Sequence, residues 1–216
     1  MQQTEIPAPE TIARRNSPAF IRFRITGQYL GLYLLAFLLG IMLCALLDTD
    51  TLPPLNDSVS AHFGGIFDGC HGVFACVEVI LASASTDIRA MLIIFAAGFT
   101  MFCPPALCIL TVWRGFSLGF ISAYLCTALS AGSIVLPGGP AAFLLFLAAN
   151  GLLAAAFVHL SAQAVCFSHA YREICGRPRR IIRSPLLWQY LFRYLSMFGF
   201  VMLVHGAYAL LCRLLG

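Results

Sequence analysis

Apolar residues fill most of the chain, and charged side chains interrupt them only at intervals. No Asp, Glu, Lys or Arg occurs in residues 25–47, 90–113, 115–171 or 194–212. Ionisable residues are costly in hydrocarbon, and about 20 residues of helix cross a bilayer. Three of these segments therefore fit one crossing each, and the longest fits two crossings joined by Gly- and Pro-rich turn residues at 131–140. The pattern predicts transmembrane helices at about 27–47, 90–112, 115–135, 141–166 and 192–212.

The composition supports a membrane protein. Of the 216 residues, 60% are hydrophobic and 10% are charged, and the mean hydropathy is +0.89. Soluble domains carry roughly 25% charged residues, and a chain of this size could not bury so much apolar surface in one core. This excludes an ordinary soluble enzyme and a nucleic-acid-binding module. We expect an all-α, polytopic membrane bundle in residues 27–216, preceded by a flexible cytoplasmic tail at 1–26.

The placement of the basic residues, all of them arginine, predicts the orientation. With the N-terminus in the cytoplasm, 11 of the 13 arginines lie on the cytoplasmic side, and only Arg89 and Arg213 lie outside. Such a bias is typical of multi-pass membrane proteins. Five of the cytoplasmic arginines lie in the loop 167–191, which would face anionic lipid headgroups. A sixth helix at 63–85 would remove the bias. We therefore predict five spans with the N-terminus inside and the C-terminus outside, in the cell membrane.

The outer loop 48–89 contains a stretch with helical periodicity. Large apolar residues recur there at intervals of three and four, which places them on one helix face: Phe63, Phe67, Phe74, Val77 and Leu81. This pattern predicts an amphipathic helix at about 63–82 that lies on the outer membrane surface and faces partner proteins.

Residues of metal-ligand type occur in the same loop. They are His62, Asp68, His71 and Glu78, but none of them forms a closely spaced metal-binding pair such as His-x-x-x-His. The polar face of a half-buried helix explains them more simply. We therefore predict no metal site and no cofactor.

Several residues within the predicted spans suggest packing or anchoring. Pro104 and Pro105 fall near the middle of the second span, where they would kink or break the helix. Glycine residues permit close helix packing, and the expected packing motif comprises Gly98, Gly115 and Gly119. The expected interfacial anchors are Trp113, Arg114 and Trp188, with Arg114 in a tight cytoplasmic turn between the second and third spans.

Polar residues within the fourth and fifth spans are the remaining candidates for function. His159 and Gln163 lie four residues apart and share a helix face, and His205 lies in the fifth span. An ionisable residue inside a span suggests function, although a neutral histidine bonded between helices is the simpler interpretation. No carboxylate is expected in any span. Motifs of hydrolases, metalloproteases and nucleotide-binding enzymes are absent from the sequence, so an enzyme is not expected.

One stretch resembles the stage II sporulation protein M family. A hydrophobic helix with glycine is followed by proline, then by a basic residue and by Gly-Phe at the start of the next helix. The matching residues are Asp87-Ile88-Arg89, Ile93 to Thr100, Pro104-Pro105 and Arg114 to Phe120. The resemblance continues from Leu136-Pro137 to Ser168. Gly138-Gly139-Pro140 replaces the Asn and Pro that the family carries after the Leu-Pro turn.

This resemblance implies a membrane scaffold that recruits the stage II sporulation proteins D and P, which degrade septal peptidoglycan during engulfment in sporulation. The sequence is also compatible with a homo-oligomer. The alternative function is a small transporter or permease subunit that uses the proline-broken second span and the intramembrane histidines.

Overall fold

The computed structural model describes residues 18–47, 73–132, 139–174 and 185–215. The regular structure in these residues is helical: α1 (Pro18–Leu46), α2 (Val73–Ala97), α3 (Cys103–Ser130), α4 (Gly139–Ile174) and α5 (Pro185–Leu215). Each of these helices contains a segment long and apolar enough to cross a membrane. The predicted all-α fold with five spanning helices is therefore confirmed.

Successive helices run in opposite directions, so the bundle has two ends. We call the end where α1, α3 and α5 begin and α2 and α4 finish the basic end, because Arg22, Arg24, Arg172 and Arg193 lie towards it. Hydrogen bonds join helix termini there. The Ser168 hydroxyl donates to the Thr100 carbonyl at 2.7 Å. At the opposite end, the last turns of α1, α3 and α5 share a second buried apolar cluster.

Helices α1 and α3 pack more extensively than any other pair in the described part of the chain. Three glycines allow their backbones to approach closely. A Cβ atom at Gly115 would lie 2.5 Å from the Tyr33 carbonyl oxygen, and one at Gly119 would lie 2.8 Å from the Phe37 carbonyl carbon. Gly40 of α1 lies equally close to the backbone of α3. A side chain at any of these three positions would clash with the backbone of the other helix, so glycine is required there on both helices.

Aromatic rings fill the bundle near the basic end. Tyr190 of α5 stacks on Phe167 of α4 at a centroid distance of 4.1 Å and on Phe95 of α2 at 5.4 Å. Phe99 packs edge-on against Phe167 at 5.1 Å. Such ring pairs stabilise beyond their buried area by roughly 0.5–1.5 kcal/mol each. They connect α2, α4 and α5.

The second and third helices begin and end earlier than the sequence pattern predicts. The predicted span 90–112 is divided between α2, which ends at Ala97, and α3, which begins at Cys103. The turn at 98–102 separates them. Asp87, Arg89 and Arg114 therefore lie within helices that cross the bundle. The prediction that no carboxylate lies in a span is wrong, because Glu78 and Asp87 both lie within the spanning segment Val77–Ala97.

The other predicted boundaries shift in a similar way. Helix α1 begins at Pro18, so the part of the predicted tail from residue 18 onwards is helical. Helix α4 continues to Ile174 and α5 begins at Pro185, which shortens the basic loop. Residues 73–82 of the predicted amphipathic helix are the first turns of the spanning helix α2. Residues 63–72 lie outside the described part of the chain.

Candidate functional site

A polar cluster lies inside the bundle between α2, α3 and α5. It contains Ser83 and Asp87 of α2, Arg114 of α3 and His205 of α5. The exposed fractions of the side chains are 11% for Asp87, 23% for Arg114 and 8% for His205. These groups therefore have little contact with the surroundings of the bundle and interact chiefly with one another.

Helix periodicity places Asp87 on the buried face of α2. Ala84, Met91 and Ile94 lie three, four and seven residues away and are buried on the same face. Ser83 lies one helical turn before Asp87, so its hydroxyl and the carboxylate point to the same side of the helix. The carboxylate therefore replaces an apolar side chain in the stripe that packs against the neighbouring helices.

Asp87 uses both carboxylate oxygens to join two other helices. Arg114 Nη2 donates to Oδ1, and His205 Nε2 lies 2.9 Å from Oδ2. The Ser83 hydroxyl lies 3.1 Å from His205 Nδ1. Since a carboxylate only accepts hydrogen bonds, we assign the proton of a neutral His205 ring to Nε2, which leaves Nδ1 to accept from Ser83.

The charges of this cluster balance. With a neutral imidazole, the Asp87 carboxylate offsets the Arg114 guanidinium, so the cluster has no net charge. A single unpaired charge in a low-dielectric interior costs several kcal/mol. A charge that is paired with an opposite charge recovers part of this cost through their mutual attraction. The pairing explains how Asp87 and Arg114 are accommodated within helices of this length and hydropathy.

The cluster lies well inside the bundle along its axis. At 1.5 Å per residue, Asp87 is about 21 Å from the start of α2, and Arg114 is about 24 Å from the end of α3. His205 is about 15 Å from the end of α5 by the same measure. The three groups thus lie about 15–24 Å from the opposite end, which is less than the thickness of about 30 Å of a hydrocarbon core.

The residue types of a hydrolytic triad occur here, but the arrangement differs from the usual one. In the triad template the carboxylate binds Nδ1 of the histidine and the serine hydroxyl faces Nε2. Here Asp87 binds Nε2 and Ser83 binds Nδ1. The cavity that touches Asp87 measures about 10 Å³, which is about the space of one water molecule. This geometry supports helix association or the movement of a proton more than it supports attack on a substrate.

A second polar feature opens towards the basic end. A cleft of about 630 Å³ lies between α1, α4 and α5. Gln163 lines it and also contacts the His159 ring one turn earlier on α4. His159 and Gln163 thus pair with each other, as their spacing indicates, whereas His205 lies on another helix in the polar cluster.

The structure relocates several residues that the sequence placed at membrane boundaries or breaks. Pro104 and Pro105 lie in the first turn of α3, where proline is tolerated. The helix predicted over 90–112 is interrupted just before them, by the turn at 98–102 that separates two spanning helices. Arg114 belongs to the buried cluster and is not an interfacial anchor. Trp113 is 68% exposed and lies about 15 Å from the start of α3. Trp188 is exposed and lies in the first turn of α5.

The remaining predicted residues are placed as follows. Gly115 and Gly119 contact α1, and a Cβ atom at Gly98 would lie 2.6 Å from the Tyr190 hydroxyl oxygen. Val77 and Leu81 are about half exposed. Phe63, Phe67 and three of the candidate metal ligands (His62, Asp68 and His71) lie outside the described residues. Nothing is described of the Phe74 side chain.

Sequence reasoning missed Asp87 and Ser83 as site residues. A signal was present, because Asp87 continues the apolar spacing of Ala84, Met91 and Ile94. This spacing is lost when every charged residue is taken as the end of a membrane span.

Comparisons with protein-family models, with curated proteins and with solved structures find no match for this chain. The resemblance to the stage II sporulation protein M family therefore stays a prediction from the sequence.

Proposed function

We propose that this protein is a non-enzymatic integral membrane scaffold of the kind that the stage II sporulation protein M resemblance implies. It would act in the bacterial cytoplasmic membrane with its N-terminus inside. The observation that carries the proposal is the closed polar cluster. Its charges pair with one another, and the adjoining cavity of about 10 Å³ leaves no room for a substrate. Such a cluster stabilises one arrangement of helices, which is what a scaffold requires.

The described part of the partner-facing surface in this proposal is formed by the first turns of α2, at the opposite end of the bundle. The apolar spacing at 63–81 points to it, and Val77 and Leu81 of α2 are 49% and 48% exposed. The expected partners are the peptidoglycan-degrading stage II sporulation proteins D and P, with septal membranes during engulfment as the place of action.

Co-purification from membranes tests the scaffold. The full chain is co-expressed with tagged stage II sporulation protein P, and the complex is captured from a mild detergent extract. We expect capture of the wild-type chain and loss of capture with a Phe67→Glu and Val77→Glu double variant. Leu214→Glu is the matched control, because Leu214 of α5 is 75% exposed and lies at the same end of the bundle as Val77. It should retain capture.

Two results would contradict the scaffold proposal. One is that neither sporulation protein D nor P is captured by a wild-type chain that is folded in the membrane. The other is equal loss of capture in the control and in the double variant, since this would indicate a general effect of an added charge.

The alternative is a small transporter that moves protons, and the buried Asp87–His205 pair favours it. Ionisable groups inside spans often form proton paths. A pH-sensitive dye inside liposomes distinguishes the two functions. Proton flux that requires His205, with His159→Ala as the comparison, supports transport and contradicts a pure scaffold. Leakage equal to that of empty liposomes contradicts transport.

A further inference from the structure

The cleft at the basic end has the chemistry of an anion site. It is formed by α1, α4 and α5, and its volume of about 630 Å³ lies in the range of ligand pockets. Its polar lining includes Arg22, Arg193, His169, Gln163 and Gln189, and Tyr190 and Cys166 also line it. Two guanidinium groups, carried by two different helices, thus line one concave surface.

Nothing described in the cleft neutralises these two cations. Among the described residues that line the cleft none is acidic; Glu78 and Asp87 belong to α2, which does not line the cleft. Asp87 is already paired with Arg114. Two like charges that share a partly enclosed cavity repel each other, so an anion between them would be stabilised.

The donors available in the cleft match a phosphate group. Arginine presents N–H groups in a planar fork that binds phosphate oxygens in pairs. His169 Nδ1 accepts from Arg172 at 3.0 Å, so a neutral His169 ring carries its proton on Nε2 and can donate there. The amide groups of Gln163 and Gln189 add further donors.

The position of the cleft along the helices fits the level of lipid headgroups. At 1.5 Å per residue, Arg22 is about 36 Å from the end of α1, and Arg193 is about 33 Å from the end of α5. The α4 residues of the cleft, Gln163 to Ala170, are about 36–46 Å from the start of α4. A bilayer has a hydrocarbon core of about 30 Å and measures about 40–45 Å with its headgroups. All three walls are therefore farther from the opposite end of the bundle than a hydrocarbon core is thick.

Apolar side chains form the rest of the lining. Ile25, Phe167 and Leu186 lie beside the polar groups. A free phosphate ion has no apolar part that could pack against these side chains, whereas a lipid has glycerol and acyl carbons next to its phosphate. We propose that this cleft binds the phosphate headgroup of an anionic membrane phospholipid through Arg22 and Arg193. This inference is independent of the scaffold function.

Native mass spectrometry of the purified full chain in a neutral detergent tests the proposal. Phosphatidylglycerol and phosphatidylcholine are titrated separately, and the apparent Kd of each is compared with that of an Arg22→Gln and Arg193→Gln double variant. The control is Arg24→Gln with Arg213→Gln, which removes the same charge from two exposed residues outside the cleft. Circular dichroism verifies that each variant is folded.

We expect phosphatidylglycerol to bind more tightly than phosphatidylcholine. The cleft variant should weaken phosphatidylglycerol binding about 10- to 30-fold, since each arginine near a lipid surface contributes about fivefold. The control should change it less than about threefold. Equal loss in both variants, or no lipid preference, would overturn the proposal. Displacement of the lipid by millimolar inorganic phosphate, with the same arginine dependence, would retain the phosphate site and overturn its assignment to a lipid.

Discussion

The ion pair between Asp87 and Arg114 should be strongly coupled energetically, and the two single variants together with the double variant measure this coupling. Asp87→Leu leaves the Arg114 guanidinium without its carboxylate. Arg114→Met leaves Asp87 with only His205. Removing one member of a buried pair typically costs about 3–5 kcal/mol, because the other charge remains uncompensated. The Arg114 side chain is 23% exposed, which favours the lower part of that range.

Asp87→Leu carries an additional loss. It also removes the hydrogen bond from His205, and such bonds between membrane helices average about 0.6 kcal/mol. We therefore expect Asp87→Leu to lower the free energy of unfolding by about 4 kcal/mol and Arg114→Met by about 3 kcal/mol.

The double variant decides between pairing and simple packing. Replacing both charges with apolar side chains removes the uncompensated charge, and such replacements are often neutral or stabilising. The double variant should therefore be clearly more stable than Asp87→Leu alone, with a coupling energy of at least about 2 kcal/mol.

Unfolding in mixed micelles, titrated with sodium dodecyl sulfate and followed by circular dichroism, provides the free energies. Arg89→Met is the matched control, because Arg89 is exposed only two residues after Asp87. It should not lower the free energy of unfolding, because it removes an exposed charge from a membrane-spanning helix. Additive effects of Asp87→Leu and Arg114→Met, or single effects no larger than that of the control, would refute the buried-pair reasoning.

Three further predictions concern packing and the histidine. Gly40→Ala should destabilise the bundle by about 1–3 kcal/mol through overpacking against α3, whereas Gly31→Ala, which has nothing within 4 Å of its Cβ position, should be neutral or slightly stabilising in the same titration. His205→Ala should cost about 1–2 kcal/mol, since it removes hydrogen bonds to two residues of α2; no loss of stability would show that these bonds do not form. Tyr190→Ala should cost about 3–5 kcal/mol because it removes the ring between Phe95 and Phe167. Tyr190→Phe keeps the ring and should cost less than about 1 kcal/mol, and equal melting temperatures of the two variants would contradict this stacking.

The sequence pattern predicts the architecture well where charges mark the ends of helices. Helices α1, α4 and α5 contain long uncharged segments, so their existence and direction follow from hydropathy alone. The close-packing role of Gly115 and Gly119 also follows from their spacing. Their partner Gly40 does not, because nothing in the sequence states that α1 packs on α3.

The same pattern fails where charges are buried in pairs. The sequence shows Asp87, Arg89 and Arg114 only as charges on either side of an apolar segment, yet one is exposed on α2 and two form an internal ion pair. Hydropathy assigns a cost to each charge separately and cannot detect neutralisation by a residue on another helix. The ends of α2 and α3 consequently shift by several residues, and the polar cluster emerges only when the helices are packed.

The central claim is that α2 carries Asp87 into the membrane interior, and cysteine accessibility tests it most directly. Thr86 is exposed on α2 beside Asp87, and Ala131 is exposed in the turn after α3 at the opposite end. Each is replaced by cysteine in a folded chain that lacks its native cysteines, and membranes are labelled with an impermeant maleimide. The account predicts rapid labelling of Ala131→Cys from one side and none of Thr86→Cys. Equal labelling of both would place Asp87 outside the membrane and contradict the account.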